Sequence, residues 1–300
     1  MEIGIVSLSG CSGCQMALVD HKELFSKILN DIKFATTLFD QKELPKLDFC
    51  LIEGAVRTTE DLEKLLEARK KAKVVVSIGS CSVYGGIQSL GNLFQTEEIL
   101  SVVSNDATEN PFTETPQLNE RVQPLDHHVN VDYFIPGCPP SASVLEESFK
   151  HIFLGEKAID ERKHRLPICA ECGRKIEHYD LADFEKISVP NPEICLLSQG
   201  YICLGSVTRS GCGAQCPTFN TPCSGCRGPT DSVLTKPTHY VLRDFVKRVA
   251  HFTGKSEKEV KEKIMAIPWR FYPFTFASQA LRNKPHSKIL ELQAPLIDKE

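Results

Sequence analysis

The sequence predicts an α/β fold: a doubly wound parallel sheet, then an irregular cysteine-rich domain, then a C-terminal extension. Three observations carry that expectation. Short β-rich apolar runs alternate with helical stretches through the first half of the chain. Eight of the 13 cysteines then crowd between Cys169 and Cys226, among glycines and prolines. From about Asp231 onward there is no cysteine at all. The expected divisions are residues 1–160, 161–230 and 231–300.

The strand candidates are Ile3–Leu8, Phe34–Phe39, Phe49–Ile52, Val74–Ile78 and Tyr133–Ile135, each rich in β-branched or aromatic residues. Helical periodicity covers Gln15–Leu29 and again Thr59–Ala72, where Leu62, Leu65, Leu66 and Ala68 oppose charged positions. Thr58 and Asp61 have the spacing of a capping pair for that second helix. A third helix should begin near Ser141, after Pro139-Pro140, and run through Phe149. Strand–helix alternation with short loops makes the sheet flavodoxin-like. Sites in such sheets lie where loops leave the C-terminal strand ends.

Composition narrows the function. The chain has 300 residues, 41% of them apolar, enough for a real core. With 35 basic against 39 acidic residues and a net charge of −4, it lacks the basic excess of a nucleic-acid binder. No apolar run approaches the roughly 20 residues that a transmembrane helix needs. The N-terminal MEIGIVSLSG has neither a basic leader nor a twin-arginine pair, so the expected location is cytoplasmic. Disulfides are rare in that compartment, and cysteines this dense point to metal.

The cysteines of the first half sit at the predicted strand ends. The first strand leads into Ser9-Gly10-Cys11-Ser12-Gly13-Cys14, the fourth into Gly79-Ser80-Cys81-Ser82, and the fifth into Pro136-Gly137-Cys138-Pro139-Pro140. Neighbouring glycines let the backbone come close, and its N–H groups can hydrogen-bond to sulfur. Four thiolates converging from three strand ends is the count a [4Fe-4S] cube requires. A buried zinc, or plain buried cysteines, is the bland reading of the same residues. A phosphate loop at Ser9–Gly13 is disfavoured, because no lysine or GxGxxG follows.

In the second half, chain order divides the eight cysteines into Cys169, Cys172, Cys195, Cys203 and then Cys212, Cys216, Cys223, Cys226. Two CxxC pairs in one stretch also suit a pair of zinc ribbons. Against zinc, the segment lacks a regular knuckle-and-hairpin layout and is apolar around its thiols, as in Gly200-Tyr201-Ile202-Cys203-Leu204-Gly205. Three sets of four leave one cysteine, Cys50, which sits mid-strand and reads as a small core hydrophobe.

Taken together, SGCSGCQ at 9–15, EGAV at 53–56, IGSCSVYGG at 78–86 and IPGCPPS at 135–141 resemble the small subunit of [NiFe] hydrogenases. The segment from Cys169 through PNPEICLLSQGYICLGSVTRSGCGAQCP to CSGCRGP resembles the cysteine-rich half of the same subunit. Within that family the likeness is to cytoplasmic small subunits associated with heterodisulfide reductase, the non-deazaflavin-reducing kind, and to those of deazaflavin-coenzyme-reducing hydrogenases.

The resemblance implies three [4Fe-4S] clusters: a proximal one on Cys11, Cys14, Cys81 and Cys138, a medial one on Cys212, Cys216, Cys223 and Cys226, and a distal one on Cys169, Cys172, Cys195 and Cys203. The Ni-Fe site would lie in a partner large subunit, not in this chain. A further acceptor subunit, flavin-containing, ferredoxin-like or linked to heterodisulfide reductase, would complete the path. Two departures from the periplasmic members stand out. Cys169 replaces their histidine at the distal cluster, and Cys216 takes a place near which they have proline, so the medial cluster becomes a full cube. All-thiolate cubes carry more negative charge, which favours low potentials.

Glu53 follows the third strand at the cysteine-bearing edge. It reads either as part of a proton path at the subunit interface or as a carboxylate held by turn N–H groups. Residues 96–130, which include His127-His128, read as an irregular insertion near a partner, and His178 as a surface residue. The run Lys255–Lys263 suggests a solvated helix with Ser256 and Glu259 as its capping box. The aromatic segment Pro268–Phe274 suggests a tail against the body or a partner. Two other classes compete with the hydrogenase reading. The one-cluster subunit of respiratory complex I carries an adjacent Cys-Cys pair, which this chain lacks. A zinc-binding interaction module with at most one cluster would be colourless in its second half.

Overall fold

In a computed structural model, the described residues are 1–36, 43–103, 116–155, 166–177, 189–235, 238–266 and 273–278. Seven strands are described: β1 (Ile3–Ser7), β2 (Ile32–Ala35), β3 (Leu47–Glu53), β4 (Val56–Thr58), β5 (Ala72–Ile78), β6 (Leu118–Gln123) and β7 (Tyr133–Ile135). Five of them form a parallel sheet in the order β2-β1-β3-β5-β7. Counting only its own strands, this is the doubly wound flavodoxin order. The expected second strand begins earlier than Phe34, at Ile32, and Phe39 lies outside the described residues.

Ten helices are described. The first six are α1 (Gly13–Asp20), α2 (Lys22–Ile28), α3 (Thr59–Lys71), α4 (Ser80–Tyr84), α5 (Thr96–Val103) and α6 (Ala142–Leu154). The last four are α7 (Gln215–Thr218), α8 (Asp231–Thr235), α9 (Thr238–Thr253) and α10 (Glu257–Ala266).

The central strands are buried on both faces, as parallel strands between helix layers must be. On one face Ile5, Leu51, Val76 and Ile78 pack with Leu18, Leu24, Ile28, Leu145 and Phe149 from α1, α2 and α6. On the other, Val6, Cys50, Ile52 and Val75 pack with Leu65 and Ala68 of α3. Leu51 and Cys50 fall on opposite faces because side chains alternate along a strand.

The single helix expected over Gln15–Leu29 is two helices, broken at His21, whose φ of −81° and ψ of 73° leave the helical region. The break lets Leu18 from one segment and Leu24 and Ile28 from the other reach the same core. On α3 the buried stripe is Asp61, Leu65 and Ala68, whereas Leu66 is half exposed. The stripe is centred one position away from the expected one because Asp61 turns inward to make the cap. Thr58 Oγ1 accepts from Asp61 N at 3.0 Å and Asp61 Oδ2 from Thr58 N at 2.8 Å, so the capping box forms as the spacing predicts.

Part of the stretch 96–130 is regular rather than irregular. α5 lies within it, and β6 pairs antiparallel with β4 in a small second sheet. The sequence shows little alternation there because β6 is mostly exposed, with Val122 its buried residue. Leu125, just beyond, is fully buried in the α3-side core.

The helices after Asp231 share a core with the cysteine-rich segment. Val233, Phe245, Val246, Val249, Val260 and Ile264 pack with Ile168, Leu196, Leu197, Leu204 and Val207. The Lys255–Lys263 helix is therefore solvated on one face only. Its Ser256–Glu259 capping box is present, with Ser256 N to Glu259 Oε2 at 3.0 Å and Glu259 N to Ser256 Oγ at 3.3 Å. His178 and all of Pro268–Phe274 except Pro273 and Phe274 lie outside the described residues.

Two outcomes follow for stability and reactivity. Thr58→Ala should cost about 1 kcal/mol through the lost cap, and Asp61→Ala on the order of 3 kcal/mol, because four hydrogen bonds to a carboxylate go with it. Chemical denaturation of the two variants beside the parent measures the difference, and equal costs would contradict the buried-carboxylate account. Cys50 is fully buried, and burial pushes its thiol up to about 12. At pH 8 in the native chain it should resist iodoacetamide and be alkylated only after unfolding; native labelling would remove it from the core.

Candidate metal centre

The sheet order determines which loops meet. β1, β3, β5 and β7 are successive neighbours, so their C-terminal ends form one edge carrying Cys11, Cys14, Glu53, Cys81 and Cys138. Cys14 feels the charges of Glu53, Cys81, Cys138 and Cys11, and Cys138 those of Cys81 and Cys11. The structure therefore brings together the four cysteines expected to act as one set. Cys11 and Cys138 are exposed; Cys14 and Cys81 are half-buried.

Glycine makes the close approach feasible, though across the site rather than beside each cysteine. A Cβ on Gly79, whose φ is +91°, would fall on Cys14 Sγ, and one on Gly86 would fall on Cys81 Sγ. The loop after β1 is held by Asp61, which accepts from Ser9 N at 2.9 Å and from Ser9 Oγ at 2.7 Å. The cap of α3 thus also anchors the first cysteine loop.

Glu53 ends β3, opposite Ser7 in register, and is buried. Its carboxylate accepts from Ser7 Oγ at 3.0 Å, Gln15 Nε2 at 2.8 Å and the backbone N–H of Cys14 at 3.2 Å. It holds the start of α1, and so Cys14, against the sheet edge.

The second half brings its cysteines near one another, with Cys223 between the two expected sets. Cys169 lies within the electrostatic reach of Cys203, Cys195 and Cys172. Cys226 lies within that of Cys216 and Cys212, and Cys223 within that of Cys203 and Cys226. Two contacts connect the groups in sequence. Ser80 Oγ, beside Cys81, donates to the carbonyl of Cys226, whose charge also reaches Cys138, and Cys223 N–H donates to Cys203 Sγ at 3.3 Å. The sheet-edge set is thus joined to the Cys212–Cys226 set, and that set to Cys169–Cys203.

Two residues to which no sequence motif points tie these loops. Glu171, inside the Cys169–Cys172 pair, accepts from Gly211 N at 2.7 Å and Gly213 N at 3.0 Å, on either side of Cys212. Arg174 donates to the carbonyls of Asn191, Ile194 and Pro217 and to Asn220 Oδ1 at 2.7 to 3.0 Å. The sequence does not single them out, because Lys175 and Glu177 beside them are charged as well. The targets of Glu171 and Arg174 are distant along the chain, so spacing carries no trace of the contacts.

Electrostatics describe the donors. Burial pushes Cys138 and Cys169 up to about 12, and neighbouring cysteines add to the shift. Cys14 is raised further, first by burial and then by Glu53. Burial also raises Cys81, Cys203, Cys216, Cys223 and Cys226. Thiols held together in this way stay protonated at neutral pH unless positive charge replaces the protons, which is what metal ligation does. Sulfur-only donor sets with backbone N–H groups on their sulfurs fit iron–sulfur clusters.

The family described as the NADH ubiquinone oxidoreductase 20 Kd subunit matches residues 11–152, the sheet domain with its cysteine edge. A subunit of the vhu F420-non-reducing hydrogenase of Methanocaldococcus jannaschii is 41% identical over 247 residues, covering 78% of this chain and 84% of the relative. A subunit of the F420-non-reducing hydrogenase of Methanothermobacter thermautotrophicus is 35% identical over 306 residues, covering 95% and 97%. An actinobacterial-type NiFe-hydrogenase structure from Ralstonia eutropha H16 covers all of this chain and 92% of its own at a TM-score of 0.52 and 14% identity, a likeness of fold alone. With this identity over most of both chains, and cysteine sets beyond the 20 Kd match, the chain belongs to the hydrogenase small subunits of the F420-non-reducing type.

Proposed function

We propose that this chain relays electrons between the Ni-Fe site of a partner large subunit and a further acceptor subunit, through three [4Fe-4S] clusters. Cys11, Cys14, Cys81 and Cys138 would hold the proximal cluster. Cys212, Cys216, Cys223 and Cys226 would hold the medial one, and Cys169, Cys172, Cys195 and Cys203 the distal one. When bound, the clusters supply one-electron transfer, with H2 chemistry left to the partner.

The observation that carries this reading is the serial contact of the cysteine loops: Ser80 Oγ, beside Cys81, donates to the carbonyl of Cys226, and Cys223 N–H donates to Cys203 Sγ. A relay needs its centres in sequence, with cofactor ligands close to one another. Cys11 and Cys138 of the proximal set, Cys216 of the medial set and Cys169 of the distal set are exposed, so each set reaches the surface where a partner can cover it. The protein's own contribution is ligation, exclusion of water and N–H···S tuning. Glu53, beside Cys14, also stands where a proton could pass to the large subunit. All thirteen cysteines are free of disulfides, which supports a cytoplasmic location. Among the described residues no helix is long and apolar enough to cross a membrane.

The complex purified without oxygen should contain about twelve cluster irons and twelve sulfides per copy of this chain, besides about one nickel and one iron from the partner's Ni-Fe site and whatever iron an acceptor subunit brings. About four irons with zinc in the remaining sites would overturn the relay and leave a structural zinc module. Cys216→Ala should remove at least one iron per chain and alter a single cluster signal in the electron paramagnetic resonance (EPR) spectrum. Full iron with unchanged spectra would take Cys216 out of the ligand set.

A further inference from the structure

Arg227 directly follows the last cysteine of the medial set, and it is the largest side chain the described fold buries completely, at 2% exposure. Its Nε donates to Ser210 O at 2.8 Å, and a terminal nitrogen donates to Pro136 O at 3.0 Å. Ser210 lies two residues before Cys212, and Pro136 two before Cys138. The guanidinium is therefore held between a loop of the medial set and a loop of the proximal set.

The surroundings lock this position. Ser80 Oγ donates to the carbonyl of Cys226, and Tyr84 O–H donates to the carbonyl of Arg227 at 3.3 Å. A side chain on Gly228 would strike the Tyr84 ring. Cys138 lies within the electrostatic reach of Cys226 at the same junction. The nearby Arg209 is paired with Asp231 at 3.7 Å, which offsets its charge.

An arginine stays protonated in proteins, and burying its charge is costly unless negative charge lies close. A cube ligated by four thiolates is negative in both redox states. We propose that Arg227 is the fixed positive charge that sets the reduction potential of the medial cluster, favouring the reduced state and shaping the proximal-to-medial step. This rests on the assignment of the medial cluster to Cys212, Cys216, Cys223 and Cys226. It adds a role for a residue that ligates nothing.

The test is an EPR-monitored redox titration of the anaerobically purified complex, as parent, Arg227→Met, Arg227→Lys and Arg227→Gln. Iron and sulfide are counted for each, and the medial signal is the one that Cys216→Ala alters. Arg227→Met should disfavour reduction of the medial cluster about tenfold, equivalent to about 59 mV for one electron, at parental iron content. Arg227→Lys should stay within about threefold of the parent, and the distal cluster should not move in either. If the methionine variant does not assemble, Arg227→Gln keeps hydrogen-bond donors while removing the charge, and the same tenfold change is expected. An unshifted medial potential at full iron, or equal shifts in the lysine and neutral variants, overturns the charge role. The parent complex fails separately: fewer than three cluster signals there would sink the cluster assignment before any Arg227 variant is compared.

Discussion

Sulfur buried beside sulfur is the constraint on which the rest of this structure depends. A thiol shielded from water beside other thiols does not ionise on its own; burial and neighbouring cysteines raise Cys14 and Cys223 in this way. Such a cluster is tolerable only as neutral thiols or as thiolates around a strongly positive centre. The fold favours the second option: Cys223 N–H donates to Cys203 Sγ, and the backbone of Gly205, Gly225 and Cys138 lowers the cost of charge on Cys203, Cys223 and Cys226. Backbone groups placed in this way favour negative charge on sulfur without adding a competing ligand.

The parallel sheet solves one part of the positioning problem. Strands that run in the same direction send all their C-terminal loops to one edge, so cysteines far apart in the chain become neighbours there. Glu53 and Asp61 then hold the loop after β1 from below, each using a buried carboxylate to gather backbone N–H groups. Helix capping and site construction are the same interaction at Asp61. A change there would be felt by both the α3 terminus and the Cys11 loop.

The cysteine-rich half has little regular structure to position its ligands. It relies instead on long-range polar ties, with Glu171 and Arg174 drawing its loops together and Arg227 fastening them to the sheet domain. The helices after Asp231 provide the apolar backing that the loops themselves lack. Short loops rich in glycine and cysteine cannot bury enough apolar surface alone, and Phe245, Val249 and Ile264 make up that deficit.

The sequence by itself determined the fold class, the parallel strands of the sheet and the placing of cysteines at the strand ends and in the irregular second half. These are local or periodic properties: β-rich runs such as Val74–Ile78, the Thr58–Asp61 cap and the CxxC spacing are written in adjacent residues. It also marked Cys50 as core by arithmetic. The break at His21, the β4–β6 pairing, the inward turn of Asp61 and the contacts of Glu171, Arg174 and Arg227 were decided only by tertiary structure. Each depends on a partner tens of residues away or on the direction in which a core lies, and neither quantity has a period that a single chain can display. The meeting of Cys138 with Cys226, which aligns the cysteine sets in series, belongs to the same class: it exists only once two separately coded halves have packed together.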